Sequence, residues 1–229
     1  MFTDMDSSNI LGILSEAKET YGNDVVFLSS FSNEDMIIFD TICKNHLGID
    51  IYTIDTGRLN QETYEFIDQV SRDYGIRINY LVPDAEALSS MLSNYGPQPF
   101  YESVEKRKLC CKIRKVDPLS RLLSNKKAWI TGIRSEQTIE RKNSSRVEIN
   151  NGTVKINPII DWTYDMVLKE VEERKLPFNK LYNLGYRSIG CEPCTRPLYP
   201  GESERDGRWW WEGSSKECGI HTSKFGDSR

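Results

Sequence analysis

Several common signatures are missing from this chain, and each absence removes a class of function. No apolar run approaches the roughly 20 residues that a membrane-spanning helix needs. Residues Met1 to Asn9 carry acids where a signal peptide would have a basic start and an apolar stretch. The expectation is a cytoplasmic chain that meets no membrane. There is no Gly-Lys-Ser/Thr of a Walker A loop and no GxGxxG dinucleotide fingerprint. No dense Lys/Arg run occurs and the pI is ≈ 5.4, which argues against a general nucleic-acid binder. Internal repeats and low-complexity tracts are also lacking.

What is present is a soluble globular composition of 229 residues, 38% hydrophobic and 28% charged, with a mean hydropathy of −0.54. That length supports one sizeable core, or a core plus a small appendage. The net charge of −4 conceals a division. Residues 1–109 hold 8 Lys and Arg against 18 Asp and Glu, whereas residues 110–229 hold 22 against 16. The basic second half is the expected seat of an anionic ligand.

The first half alternates strand and helix patterns: strands at 24–30, 49–55 and 77–82, helices at 34–46, 61–74 and 85–94. An amphipathic helix at 113–123, a strand at 128–132, a hairpin over 146–160 turning at Asn150-Asn151-Gly152, and a helix at 163–174 follow. Such alternation predicts an α/β fold, doubly wound around a mainly parallel sheet. From Gly185 onward the chain is rich in Gly, Pro, Arg, Trp and Cys and has little periodicity. This predicts an irregular, functional tail anchored by Trp209-Trp210-Trp211.

In a doubly wound sheet, ligands bind beyond the carboxyl ends of the strands. The loop Ser29-Ser30-Phe31-Ser32 precedes a helix, with Ser32 as its N-cap, and offers hydroxyl and backbone N–H groups to a phosphate. Thr56-Gly57-Arg58 and Gly132-Ile133-Arg134 end two further strands. All three ends are expected to face one nucleotide crevice.

Six cysteines occur. Cys43 falls on the apolar side of a helix and reads as a core residue. Cys110-Cys111 and the later Cys191-Glu192-Pro193-Cys194 offer four thiolates to Zn or to an iron–sulfur cluster. Adjacent cysteines are awkward for tetrahedral Zn but can reach different irons of a cluster, so the spacing favours the cluster. A redox CxxC would leave Cys110-Cys111 unexplained. Cys218 lies in Lys216-Glu217-Cys218-Gly219-Ile220-His221, where cations and His221 could lower a thiol pKa, and Arg205 and Arg208 carry forked donors suited to sulfate or phosphate.

These segments, SSFSNED, TIDTGRL, KLCCKIRKVDPL, TGIRSEQTIER, GYRSIGCEPCTRP, GESERDGRWWWE and KECGIH in this order, closely resemble the assimilatory sulfonucleotide reductases, specifically bacterial-type adenylylsulfate (APS) reductases. The resemblance implies an adenine-nucleotide α-hydrolase-like fold related to the PP-loop pyrophosphatases. It implies a [4Fe-4S] cluster on Cys110, Cys111, Cys191 and Cys194, and Cys218 as nucleophile. Lys115, Arg141, Arg205 and Arg208 would be the cations around the substrate's sulfate. The activity implied is reduction of APS to sulfite and AMP through an S-sulfocysteine, with thioredoxin supplied in trans. Reduction of 3′-phosphoadenylylsulfate (PAPS), alone or beside APS, is the nearest alternative, and a PP-loop ATPase or adenylyltransferase a remoter one. The expected organisation is a nucleotide-binding domain over 1–190 and a CxxC segment with catalytic tail over 191–229. A homo-oligomer is compatible with this reading.

Overall fold

The computed structural model describes residues 9–150, 152–213, 216, 217 and 219–221. A six-stranded sheet organises them: β1 (Val25–Leu28), β2 (Asp50–Ile54), β3 (Asn79–Leu81), β4 (Ala128–Ile130), β5 (Val147–Asn150) and β6 (Thr153–Ile156), in the order β3-β2-β1-β4-β6-β5. All pairs are parallel except the β5–β6 hairpin. The doubly wound reading therefore holds. Among the described residues, no helix is long and apolar enough to cross a membrane.

Both faces of the sheet are covered, and β1 shows why its sequence is apolar throughout: all four of its residues are buried. Val25 and Phe27 join a core with α1 (Ile10–Tyr21), α2 (Asn33–Lys44), α3 (Gln61–Tyr74) and α7 (Tyr164–Glu173). Val26 and Leu28 point the other way, to Leu119 and Leu123 of α6 (Asp117–Leu123) and to Ile220 of the tail. A third apolar group gathers Met91 of α4 (Ala85–Tyr95), Phe100, Trp209 and the four paired cysteines.

Helix caps follow the sequence. The Ser32 hydroxyl accepts from Asp35 N at the start of α2, and Thr163 caps α7 by accepting from Met166 N. Helix α1 was not anticipated, although Asn9 caps it and Ile10, Ile13, Leu14 and Ala17 form a buried stripe at helical spacing. The hairpin strands are shorter than the expected 146–160. Asn157-Pro158 ends the ladder, because proline has no N–H to donate. Residue 151 of the expected turn lies outside the described residues. Cys43 sits half-buried at the margin of the core, where burial and Asp40 push its thiol up to about 12.

The expected 113–123 helix is the end of a longer one. Helix α5 (Val104–Cys111) runs into a π-helical turn at Lys112–Val116 and continues as α6. Pro118 cannot donate to the Arg114 carbonyl four residues back, so the α-ladder must break here.

Candidate active site

The ends of β1, β2 and β4 open into one cleft, as their sequence suggested. Ser29, Ser30, Ser32, Thr56 and Gly132 line it. The loop after β1 is held by its own carboxylate. Asp35 Oδ2 accepts from Ser30 N at 2.6 Å and from the Ser30 hydroxyl at 2.7 Å. Burial pushes the Asp35 carboxyl up to about 6, against the pull of the Ser30 donors and the Gly132 N–H. The Ser30 N–H, expected to be open to a phosphate, is therefore already engaged.

Four of the expected substrate-binding residues do not line this cleft. Phe31 has φ of 57° and turns its ring into the core, 5.8 Å from Phe39 and 6.3 Å from Phe66. It anchors the loop from behind. Gly57, with φ of 66°, shapes the turn after β2 and donates to Asp55 Oδ1 at 2.8 Å. Arg58 turns to the neighbouring cavity and stacks over Phe100 at 5.4 Å. Arg134 is fully buried between carboxylates, 2.9 Å from Glu34 and 2.7 Å from Glu204. It pairs with two acids of the cleft wall.

The remaining expected cations do line the cleft: Lys115, Arg141, Arg205 and Arg208. All come from the basic half of the chain. Arg208 depends on a glycine, since a Cβ at Gly190 would lie 2.5 Å from its Nη2. His221 lines the cleft as well, its ring parallel to Trp129 at 6.1 Å. Burial, with Arg141 and Lys155 nearby, drives its pKa well below the usual imidazole value, so it is neutral at pH 7. Its buried Nδ1 has no hydrogen-bond partner among the described residues.

A second, smaller cavity adjoins the first. Cys110 and Cys111 at the end of α5 and Cys191 and Cys194 of the CxxC all line it, each buried and none disulfide-bonded. An isolated bridge between Leu59 and Cys191 brings the CxxC to the strand ends, and Tyr101 OH donates to Pro193 O at 2.9 Å. Arg58, Arg107, Arg114 and Lys115 complete the wall. Burial raises the Cys110 pKa and pushes Cys194 up to about 12. At Cys191 burial is outweighed by Lys115, the Thr56 hydroxyl and two arginines, and its pKa falls. Among the described residues, no group of three or more His, Cys, Asp or Glu is placed to hold a metal ion. Four thiols thus line one cavity rimmed by cations, and such a rim offsets negative charge placed among them. Lys115 lines both cavities.

The sequence of residues 24–197 matches the family described as the phosphoadenosine phosphosulfate reductase domain. The chain belongs to that family. It is 45% identical over 204 residues to the adenosine 5'-phosphosulfate reductase of Allochromatium vinosum, covering 88% of this chain and 80% of the relative. A crystal structure of phosphoadenylyl-sulfate (PAPS) reductase from Candida auris, a phosphate complex, superposes with a TM-score of 0.69 and 25% identity, covering 84% of this chain and 91% of that one. Candida glabrata FMN adenylyltransferase in complex with ATP shares the fold alone, at a TM-score of 0.57 and 12% identity over 83% of this chain and 63% of its own.

In this reductase-family domain the tail folds back over the cleft. Trp209 is buried with φ of 43°, its ring between Arg107 at 4.4 Å and Arg208 at 4.7 Å. Trp211 packs on Tyr101, while Trp210 stays partly exposed. Cys218 lies outside the described residues. Sequence reasoning missed the acids Glu34, Asp35 and Glu204, together with Tyr182 and Arg187, all on the cleft wall. Arg187 stands in GYRSIGC beside the CxxC and stacks over Tyr164 at 5.0 Å. Its position next to the cysteine motif was the available signal. The acids gave none, because Glu34 and Asp35 at a helix start read as capping and Glu204 in an irregular stretch reads as surface.

Proposed function

We propose that this chain reduces adenylylsulfate (APS) to sulfite and AMP by thiol chemistry. The observation that carries the reading is the junction of the two cavities: a cation-lined cleft at the strand ends shares Lys115 with a four-cysteine cavity. The name of the Allochromatium vinosum relative supports APS as the substrate.

Residues 1–190 would bind the nucleotide, and 191–229 would carry the CxxC and the nucleophile. The hydroxyls of Ser29, Ser30, Ser32 and Thr56 would meet phosphate and ribose oxygens. Thiolate and sulfate repel one another, so Lys115, Arg141, Arg205 and Arg208 must offset that charge as they approach. The Cys218 thiolate then attacks the APS sulfur. A sulfur–sulfur bond forms, the bond from sulfur to the bridging oxygen breaks, and AMP leaves with the electron pair. AMP is a good leaving group, so no strong general acid is required. A thiolate of an external dithiol, thioredoxin or a similar reductant, next attacks Cys218 Sγ and expels sulfite. The dithiol's second thiol releases Cys218, ending as a disulfide while sulfur passes from S(VI) to S(IV). Cys110, Cys111, Cys191 and Cys194 would hold a [4Fe-4S] cluster, which when bound would brace α5 against the CxxC and polarise the adjoining cleft.

Mass spectrometry of the protein after APS without reductant tests this. The expected result is an SO₃ adduct on the Cys218 peptide with stoichiometric AMP release, lost in Cys218→Ser. PAPS run in parallel decides between the two nucleotides. No adduct from either, or ATP hydrolysis that survives Cys218→Ser, would overturn the reading.

A further inference from the structure

One carboxylate, that of Glu217, joins the tail to cations of the cleft. Glu217 is buried. Its Oε1 accepts from Arg141 Nε at 2.7 Å and from the Thr138 hydroxyl at 3.1 Å, and its Oε2 accepts from Arg141 Nη2 at 3.0 Å. Arg205 Nη2 stands 3.6 Å from Oε2. The Glu217 backbone carbonyl accepts from Arg107 Nη1 at 3.3 Å. Arg107 belongs to α5, is buried, and pairs with Glu212 at 2.8 Å. The preceding carbonyl, of Lys216, accepts from Arg205 Nη2 at 2.6 Å. Three segments far apart in sequence thus converge on the residue before Cys218.

We propose that Glu217 is a positioning residue for thiol transfer: docked on Arg141 and Thr138, it seats the tail from which Cys218 follows, and it holds part of the cleft's positive charge in check. The proposal rests on the reading of Cys218 as nucleophile. A carboxylate that merely supported the fold would, on removal, weaken ligand binding and turnover together. A carboxylate that shares its arginines with the ligand gives opposite signs. Freed of Glu217, Arg141 and Arg205 attract an anion more strongly, while the tail loses its seat and thiol transfer slows.

Glu217→Gln keeps the shape and removes the charge. Three measurements are made on the full chain: single-turnover AMP release from APS without reductant, AMP binding by calorimetry, and hydrogen exchange. The expected result is release slowed roughly 30-fold or more, AMP bound as tightly as by wild type or up to about tenfold more tightly, and faster exchange confined to 205–217. Glu217→Asp should restore part of the rate. Should the Gln variant fold poorly, Thr138→Val removes one donor and should move the same readouts in the same directions by less. Wild-type release rates in Glu217→Gln would overturn the proposal. So would a loss of AMP affinity parallel to the loss of rate, with exchange rising across the sheet. If wild-type protein forms no adduct with APS, the reading of function fails, and the exchange and AMP measurements still decide the docking role.

Discussion

Gly132 and Asp35 approach so closely that a Cβ added at position 132 would lie 2.3 Å from Asp35 Oδ1. The contact joins the end of β4 to the first turn of α2, and with it the two loops that form the floor of the cleft. Gly132→Ala must therefore push the Asp35 side chain off the Ser30 loop. A loss of about 1–3 kcal/mol in denaturant unfolding is expected, with AMP affinity in calorimetry reduced at least about tenfold. Wild-type affinity in that variant would mean the loop is not held as described.

Asp35 also gives a pH signature. Its folded-state pKa, about 6, lies above the ordinary carboxylate value because of burial. The folded state therefore holds the proton more tightly than the unfolded one. That contribution is complete below about pH 4 and is lost as pH rises towards 6, by roughly 3 kcal/mol. Asp35→Asn should remove it. Unfolding free energies measured from pH 4 to 7 should show the wild type losing stability relative to the variant over that window.

Arg134 distinguishes a structural cation from a ligand-binding one. Arg134→Met would leave Glu34 and Glu204 without their buried partner, and a cost of about 3–5 kcal/mol is expected in denaturant unfolding. Were Arg134 a substrate contact instead, stability would hold and only KM would rise.

The cysteine cavity predicts a composition. Protein purified without oxygen should contain iron and acid-labile sulfide in equal amounts, measured colorimetrically. Cys194→Ser should lose most of both, while Cys43→Ser, at the core margin away from the cavity, should keep them.

Much of the fold was legible because strands and helices impose different periods. The run over Val25–Leu28 and the helix Gln61–Tyr74 could be read directly. The thiol quartet was legible for another reason: Cys110-Cys111 and the CxxC have few alternative explanations in an otherwise cysteine-poor chain. The cleft acids were not legible. Glu34 and Glu204 meet on the cleft wall through a shared bond to Arg134, 100 residues from one and 70 from the other, a juxtaposition the sequence does not show. The seat of the Phe31 ring was not legible either, because the positive φ that sends it into the core leaves no mark in the sequence.

The π-helical turn at Lys112–Val116 acts as a phase shifter. A π turn adds about one residue to the roughly 3.6 of an α turn, so the helix resumes about 100° out of step with its beginning. One continuous rod can then serve two clients on different sides. Before the slip it gives Cys110 and Cys111 to one cavity, and after it Leu119 and Leu123 to the sheet. Lys115 falls within the slip and reaches both cavities. Removing one residue there would shorten the chain by little yet rotate every downstream side chain, uncoupling the cysteines from the core that holds them in place.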